Sequence, residues 1–182
     1  KVEGWLAAGG STASRPTGGA RPSAQAARGA HGPDPDGQGR RPPEAWQTVL
    51  TKASLVEREM TMDEARPTFA RVIENRLAKE RTLEIAASVS YGVGSTAEPT
   101  PAMLEDTSNP YNTYKHVGLP PSPIVTPGGA ASLDAVLQPA EGGSWMFWLV
   151  VDADSGETKF AVTFDEQMEN QAAFDAAQAA DG

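Results

Sequence analysis

Cysteine is absent from this sequence of 182 residues, and histidine occurs only twice. The lack of cysteine excludes disulfide bonds, thiolate catalysis and zinc sites with cysteine ligands. Two histidines, His31 and His116, are too few for a multi-histidine metal site. A histidine-based catalytic triad is not predicted either, because His31 lies in the low-complexity stretch and His116 is the only other histidine. No apolar run is long enough to span a bilayer, and no signal peptide is visible.

An excess of positive charge is also missing, since the formal net charge is -9 at pH 7. A chain with this charge repels the phosphate backbone, so nucleic acid is not a predicted partner. The first residue is Lys1 rather than methionine, and we interpret the chain as a fragment. On that interpretation, the lack of a membrane anchor says nothing about the longer protein.

Glycine and proline are abundant, with 18 and 15 residues. Together with alanine, serine and arginine they dominate residues 7–43, where large apolar side chains are almost absent. This composition predicts a disordered or flexible linker. The predicted organisation is therefore a remnant motif plus low-complexity segment over residues 1–43, followed by a folded domain over residues 44–182.

Two helices are predicted at the start of the folded domain. Apolar residues at helical spacing begin near Glu44 and continue to Met60, and a second apolar face follows. The start of the second helix has two alternatives. Thr61 and Glu64 fit a capping box, whereas Pro67 favours a later start because proline is preferred in the first turn.

The remainder of the domain alternates loops with short elements. Residues 92–129 are rich in turn-forming residues, which predicts a long, ordered and functional loop stretch. A short helix over 131–137, a buried strand over 145–151 with a partner over 158–162, and a terminal helix over 165–180 complete the prediction. The predicted class is α+β, with helices against a small, mainly antiparallel sheet and long Pro/Gly-rich loops.

One carboxylate stands out on the first predicted helix. At about 100° per residue, Leu50, Ala53 and Glu57 fall within roughly 40° of Trp46. Glu57 is therefore predicted to lie on the apolar stripe, where desolvation raises the pKa of a carboxyl into the range that suits a general acid. An ion pair with arginine or a capping role is the alternative for Glu57. Glu59 is predicted to point to the opposite side.

Five blocks of sequence follow one another along the folded domain. They are Ala53–Glu59 with the pattern Ala-Ser-x-x-Glu, Ala70–Leu77 ending in Asn-Arg-Leu, Ser108–Tyr114, Gly118–Ile124 with Pro127-Gly128, and Trp145–Ala161. In this order they resemble the YceG-like endolytic murein transglycosylases over roughly residues 46–170. The pair of motifs Tyr-Asn-Thr-Tyr and Gly-Leu-Pro-Pro is the most specific part of the resemblance. In its detailed sequence the chain is most similar to actinobacterial members of the family.

The resemblance implies an enzyme that cleaves the MurNAc–GlcNAc bond of nascent glycan strands and leaves 1,6-anhydro-MurNAc ends. It places the acid/base at Glu57, the first Glu of the Ala-Ser-x-x-Glu motif. The sugar's own C6 hydroxyl attacks C1, so one acid/base residue suffices. The implied substrate-binding residues are Asn75, Tyr111, Asn112, Thr113, Tyr114 and Gln167. No metal and no cofactor is implied.

The resemblance also implies a cellular setting. The catalytic domain is expected to be extracytoplasmic, on a single-pass cell-membrane protein whose anchor is not in this chain. Peptidoglycan glycan strands are the implied partner, and cell-wall synthesis enzymes are a candidate partner.

The resemblance is incomplete in three places. Residues 85–91 lack the acid of an expected Asp-Pro-Thr-like segment, and Gln167 lies in a stretch that lacks the histidine of an expected Glu-His-Asn. Val2–Leu6 resembles a family segment, after which the similarity stops until Trp46, and we hypothesise a replaced or frame-shifted segment. Two alternatives therefore stay open: an impaired homologue that binds peptidoglycan or a synthesis partner, and a glycoside hydrolase that uses water.

Overall fold

The computed structural model describes residues 43–152 and 154–180. Over these residues the chain forms six α-helices, a 3₁₀ turn and a two-stranded antiparallel sheet, which confirms the predicted α+β class. The elements are α1 Pro43–Glu59, α2 Arg66–Ala78, α3 Ala86–Gly92, α4 Pro101–Glu105, α5 Ala130–Leu137, β1 Phe147–Val150, β2 Thr158–Ala161 and α6 Phe164–Ala180. The predicted remnant motif and the linker up to residue 42 lie outside the described residues.

The buried face of α1 differs from the predicted one. Val49, Ala53 and Val56 are buried, and so is Met60 directly after the helix. These positions recur every three or four residues, as the inner face of a helix requires, and Leu55 on another side of α1 is fully buried as well. Trp46 is 40% exposed, so a stripe centred on it is wrong. Glu57 is partly exposed and lies at the margin of the buried face instead of its middle.

α2 begins at Arg66 and has Pro67 in its first turn, as the position of that proline predicts. The alternative start, a capping box at Thr61 and Glu64, is wrong. A 3₁₀ turn separates that segment from the helix, and the N-cap residue, Ala65, has no side-chain cap. The predicted apolar face of α2 is buried through Phe69, Val72 and Ile73.

α3 is a helix that the sequence patterns do not predict. Its polar residues are buried because they bond back to the main chain, as in the 2.8 Å hydrogen bond from Ser88 Oγ to the Ile85 carbonyl. The last residue, Gly92, packs against the side chain of Asn109, in the loop after α4. A Cβ atom at this position would lie 2.0 Å from Asn109 Oδ1, so only glycine fits without a shift of that side chain.

β1 and β2 form the predicted hairpin, with Phe147 opposite Ala161. The β1 residues are partly rather than fully buried. The prediction of a fully buried strand is therefore wrong, because this sheet has only two strands. Gly156 adopts φ +81° in the connecting turn, and a Cβ there would lie 1.9 Å from Thr61 Oγ1. The turn thus packs against the segment that follows α1.

The core lies between α1, α2 and α5. Phe69 of α2 extends it to the hairpin, because its ring meets that of Trp148 edge-on with centroids 4.8 Å apart. Full burial of a side chain of this size contributes about 1.5–3 kcal/mol. Across residues 43–152 and 154–180, the helices are too short or too polar for any to cross a membrane.

Candidate active site

Glu57 lies in the last turn of α1 and is held by two side chains. Its Oε2 atom accepts hydrogen bonds from Arg66 Nη1 at 2.5 Å and from Ser132 Oγ at 2.6 Å. The bond from Ser132, the bond and charge of Arg66 and a bond from the Gly128 backbone lower the pKa of Glu57, although burial opposes them. The prediction of a raised pKa at Glu57 is therefore wrong, and the ion-pair alternative is observed.

Three chain segments meet at the Glu57 carboxylate. Arg66 begins α2, Ser132 lies in the first turn of α5, and Gly128 belongs to the loop before α5. Arg66 and Ser132 are buried, and Arg66 Nη1 also donates to Ser132 Oγ. Arg66 Nε lies 3.0 Å from Asp63 Oδ1, at ion-pair distance but outside hydrogen-bond geometry. This network ties the end of α1 to both neighbouring helices.

Glu59, the last residue of α1, lies in a different neighbourhood. Burial raises the pKa of Glu59 to about 7, helped by the negative charge of Glu98. A hydrogen bond from the Trp148 side chain and the charge of Arg58 act in the opposite direction. The sequence prediction gives the raised pKa to Glu57, whereas in the structure the raised pKa belongs to Glu59.

Tyr114 lies close enough to Glu59 for their charges to interact. Burial raises the pKa of the Tyr114 phenol, and the negative charges of Glu59, Glu84 and Glu98 act in the same direction, against that of Arg76. Among the residues predicted to bind substrate, Tyr114 is therefore brought towards the carboxyl that has the acid-like pKa.

Asn112 and Thr113 are almost completely buried, with 0% and 2% of their surface exposed. The Asn112 amide donates to the backbone carbonyls of Met103, Leu104 and Asp106 at 2.7–3.2 Å. Thr113 Oγ1 accepts a 2.9 Å bond from the Ile85 N–H. Their side chains fix the turn that carries Tyr114, and in this conformation they do not reach a surface that a glycan touches.

Tyr111 joins the proline-rich loop to the end of α3. Its hydroxyl is 2.7 Å from Ser122 Oγ, and its ring meets that of Tyr91 edge-on with centroids 5.0 Å apart. Tyr91 is 44% exposed, whereas Tyr111 is partly buried. The sequence prediction names Tyr111 but misses Tyr91, which offers the more accessible ring of the pair.

Asn75 and Gln167, the other predicted substrate-binding residues, hold the hairpin. The Asn75 amide donates to the carbonyls of Gly143 and Trp145 at 3.0 and 2.9 Å. The Gln167 amide donates to the Trp148 carbonyl at 3.1 Å, while its buried Oε1 atom has no hydrogen-bond partner among the described residues. Both side chains thus fix the strand that carries Trp148 beside Glu59.

Arg76 holds the start of β1. Its buried side chain donates to the Met146 carbonyl at 2.7 Å and pairs with Glu84 Oε2 at 2.8 Å. The guanidinium carbon lies 5.1 Å from the centre of the Trp148 ring, within the range of a cation–π contact. The sequence prediction quotes Arg76 only as part of a motif and assigns it no role.

Several residues of this site carry little signal in the sequence. Ser132 and Arg66 are 75 and 9 positions from Glu57 along the chain, so no helical spacing links all three. Glu98 lies in a loop whose course the sequence does not specify. Within residues 43–152 and 154–180, no group of three or more histidine, aspartate or glutamate side chains is placed to hold a metal ion.

The arrangement provides two carboxyls with opposite character. Glu57 is ionised and paired, whereas Glu59, with a pKa raised to about 7, is still partly protonated at neutral pH. Pairs of titratable groups whose environments push their pKa values apart are typical of acid/base sites. The Trp148 side chain donates a hydrogen bond to Glu59, and the Tyr114 phenol lies near enough for its charge to interact with that of Glu59. A proton donor beside aromatic surface suits the cleavage of a glycosidic bond.

Comparison with known proteins gives consistent relatives. A family model described as the YceG-like family matches residues 23–173. A protein of Bacillus subtilis (strain 168) named endolytic murein transglycosylase is 35% identical over 118 residues, which are 65% of this chain and 32% of that protein. A protein of the same name from Streptococcus pneumoniae serotype 2 is 32% identical over 131 residues, 68% of this chain and 23% of that protein.

A solved structure is similar as well. The crystal structure of a YceG-like protein from Listeria monocytogenes superposes with a TM-score of 0.63 at 35% sequence identity. The match covers 69% of this chain and 40% of that one. The chain thus spans a third or less of the length of the two curated relatives.

Proposed function

This chain belongs to the YceG-like family, and from that premise we propose that it is the catalytic part of a lytic transglycosylase that cleaves peptidoglycan glycan strands. The observation that carries the proposal is Glu59, a carboxyl whose pKa is raised to about 7 beside Trp148 and Tyr114. The names of the relatives from Bacillus subtilis and Streptococcus pneumoniae support the same class of reaction.

Glu59 takes the acid/base role in this proposal. As a protonated acid it donates its proton to the oxygen that links MurNAc C1 to GlcNAc, and the C1–O bond breaks. The resulting carboxylate then accepts the proton of the MurNAc C6 hydroxyl while O6 bonds to C1. The products are a free GlcNAc hydroxyl and a 1,6-anhydro-MurNAc end, and Glu59 is again protonated.

Glu57, the residue to which the sequence motif assigns this role, is less suited to it. A group with a lowered pKa is ionised at neutral pH and has no proton to donate. Its Oε2 atom is occupied by Arg66 and Ser132, so the carboxylate is also not free to move towards a sugar. We therefore assign the chemistry to Glu59 and treat Glu57 as its structural neighbour.

A hydrolytic reaction is the second candidate, and Glu98 is the observation that favours it. Glycoside hydrolases that use water need a second carboxylate. Glu98 is exposed, and it lies near enough to Glu59 to raise the pKa of that carboxyl. A water molecule activated by Glu98 would give a reducing end in place of the anhydro end, so the product identifies the reaction.

The proposed substrate also sets the location and the partners of the protein. Peptidoglycan lies outside the cytoplasmic membrane, so we propose an extracytoplasmic site of action within a longer, membrane-anchored protein. Contact with cell-wall synthesis enzymes remains a prediction from the family resemblance.

The test is product analysis by mass spectrometry after incubation with uncrosslinked glycan strands. The parent chain is expected to release fragments with 1,6-anhydro-MurNAc ends, and Glu59→Gln is expected to release them at least about 10²-fold more slowly. Reducing-end fragments that disappear in Glu98→Gln would establish hydrolysis. No cleavage by a folded parent chain, combined with retention on insoluble peptidoglycan, would replace the proposal with an impaired, binding homologue.

A further inference from the structure

We propose that Glu57, Arg66 and Ser132 form a clasp that positions the Glu59 carboxyl by fixing the last turn of α1. The clasp residues act through the helix backbone and do not touch the substrate. Their importance for catalysis rests on the proposed role of Glu59, whereas their effect on the Glu59 carboxyl is a separate property that is measured without any substrate.

The geometry of the clasp joins three elements at one point. Glu57 Oε2 accepts from Arg66 and from Ser132 at 2.5 and 2.6 Å, and Arg66 also donates to Ser132. Arg66 and Ser132 are 9% and 0% exposed, so little water competes for these bonds. Charge-assisted hydrogen bonds in such surroundings are stronger than neutral ones.

The loop before α5 is packed onto the same carboxylate. A Cβ atom at Gly128 would lie 3.2 Å from Glu57 Oε1, which is tighter than an ordinary contact. The glycine therefore allows the backbone to approach, and its N–H bonds to the carboxylate. Alanine at this position would require the Glu57 carboxylate to move by a few tenths of an ångström.

Helix ends need such fixation, because the last four carbonyl groups have no partner within the helix. In α1 the end carries Glu59, and the Met60 N–H closes the final turn with a 2.9 Å bond to the Val56 carbonyl. Glu57 and Glu59 are about 200° apart around the helix axis. A tether at Glu57 therefore holds the opposite side of the turn, and Glu59 with it, against Trp148.

Charged and titratable groups from several chain segments face the two carboxyls. Glu59 faces Arg58 of its own turn, Glu98 of the loop before α4, and Tyr114. Glu84 and Arg76 lie behind Tyr114. On the other side, Glu57 faces Arg66 and, beyond it, Asp63. Ser132→Ala changes none of these charges, whereas Glu57→Gln removes one.

The chain offers a matched control in the ion pair between Lys52 and Glu74. The two side chains join α1 to α2, as Glu57 and Arg66 do, with an N–O distance of 2.6 Å. Lys52 lies seven positions before Glu59, about two helical turns from the end of α1. Glu74→Gln therefore removes an ion pair between the same helices without releasing the last turn.

The experiment is a carboxyl ¹³C NMR titration of glutamate-labelled protein, in which Glu59 is assigned by its loss in Glu59→Gln. We expect Glu59 to titrate near 7 in the parent and in Glu74→Gln. In Ser132→Ala and Glu57→Gln the midpoint is expected to fall by about 1–2 units, because the carboxyl becomes hydrated when the turn loosens. The smaller change is expected for Ser132→Ala, which removes a single hydrogen bond.

An unchanged midpoint in both clasp variants would overturn the proposal, and so would an equal fall in Glu74→Gln, which would indicate general loosening of the helices. If Glu57→Gln does not fold, Ser132→Ala alone decides. Cleavage assays on the same proteins separate the two proposals. A shifted midpoint in a chain whose parent never cleaves glycan would support the clasp and reject the transglycosylase.

Discussion

Two carboxyls in the same helical turn have opposite surroundings. On the side of α1 that faces α2 and α5, Glu57 is paired with Arg66 and Ser132, and its pKa is lowered. On the side that faces the hairpin, Glu59 is partly buried near Trp148, and its pKa is raised to about 7. The side of α1 towards α2 and α5 therefore carries an ionised carboxylate, and the side towards the hairpin carries a carboxyl that is still partly protonated near pH 7.

The comparison shows that tertiary partners, and not the residue type or the helical position, decide what a carboxyl does. Glu57 has cationic and hydroxyl donors supplied by two other helices. Glu59 has a negative neighbour, Glu98, and the hydrogen bond from the Trp148 side chain does not offset the effect of burial on its pKa. The same side chain therefore has a lowered pKa at one position and a raised pKa, suited to proton transfer, two residues later.

The largest expected effect comes from replacing Glu59, the carboxyl on the side of α1 that faces the hairpin. Glu59→Gln is expected to lower kcat by about 10²–10⁴, the usual contribution of general acid–base catalysis. Its thermal stability at pH 7 is expected to stay the same or rise, since a partly buried carboxyl is replaced by a neutral amide. Cleavage of uncrosslinked glycan strands and thermal unfolding measure the two quantities. A similar rate in parent and variant would remove Glu59 from the mechanism.

The turn that carries Tyr114 to the hairpin side is expected to be the next most sensitive feature. Asn112→Ala leaves three backbone carbonyls without their shared donor, which is expected to cost about 2–3 kcal/mol of unfolding free energy. Asn170→Ala in α6 is the control, with an expected change within about 0.5 kcal/mol. Urea unfolding checks both, and equal effects would show that Asn112 does not hold the turn.

The two sides are also expected to differ in how stability depends on pH. A raised folded pKa means that Glu59 stabilises the fold fully below its unfolded pKa and that this contribution is lost as pH rises towards 7. A lowered folded pKa means that Glu57 stabilises the fold above its unfolded pKa and that this contribution is lost as pH falls through the lowered value.

Unfolding measured from pH 3 to pH 8 separates these contributions. Glu59→Gln is expected to abolish a decline of about 1–3 kcal/mol between pH 4.5 and 7. Glu57→Gln is expected to weaken the protein at neutral pH and to flatten the acid side of the curve. The reverse assignment of these two signatures would contradict the comparison.

The smallest expected effect is that of the ion pair on the remote part of α1. Glu74→Gln removes a pair whose glutamate side chain is 38% exposed, so solvent screening limits its contribution to at most about 0.5 kcal/mol. Thermal unfolding at low and high salt measures it. A loss as large as that of Glu57→Gln would mean that the position of an ion pair on α1 does not matter.

Much of the fold follows from local patterns in the sequence. Proline in a first turn predicts the start of α2, and the alternation of strand and turn residues predicts the hairpin. α3 escapes prediction because its buried serines satisfy their hydroxyl groups within the fold, and they resemble loop residues in the sequence. The buried face of α1 is misplaced because Trp46, the largest apolar residue of the pattern, is exposed.

The site is harder to predict than the fold, because long-range contacts determine it. The motif around Glu57 points to the last turn of α1, but it does not specify which of the two carboxyls has the raised pKa. That distinction depends on Ser132, 75 positions away, and on Glu98 and Trp148, which only the folded chain brings near Glu59. In the same way, Asn112 occupies a specific motif, but its buried bonds identify it as a support of the loop.

The pH dependence of kcat/KM for glycan cleavage by the parent chain distinguishes Glu59 from Glu57 as the general acid. A general acid must be protonated to act, so we expect activity to fall as pH rises through about 7, the pKa of Glu59. Activity that falls already at or below the ordinary pKa of a glutamate, and is lost across the neutral range, would point to an acid with a lowered pKa, as at Glu57, and would contradict the assignment.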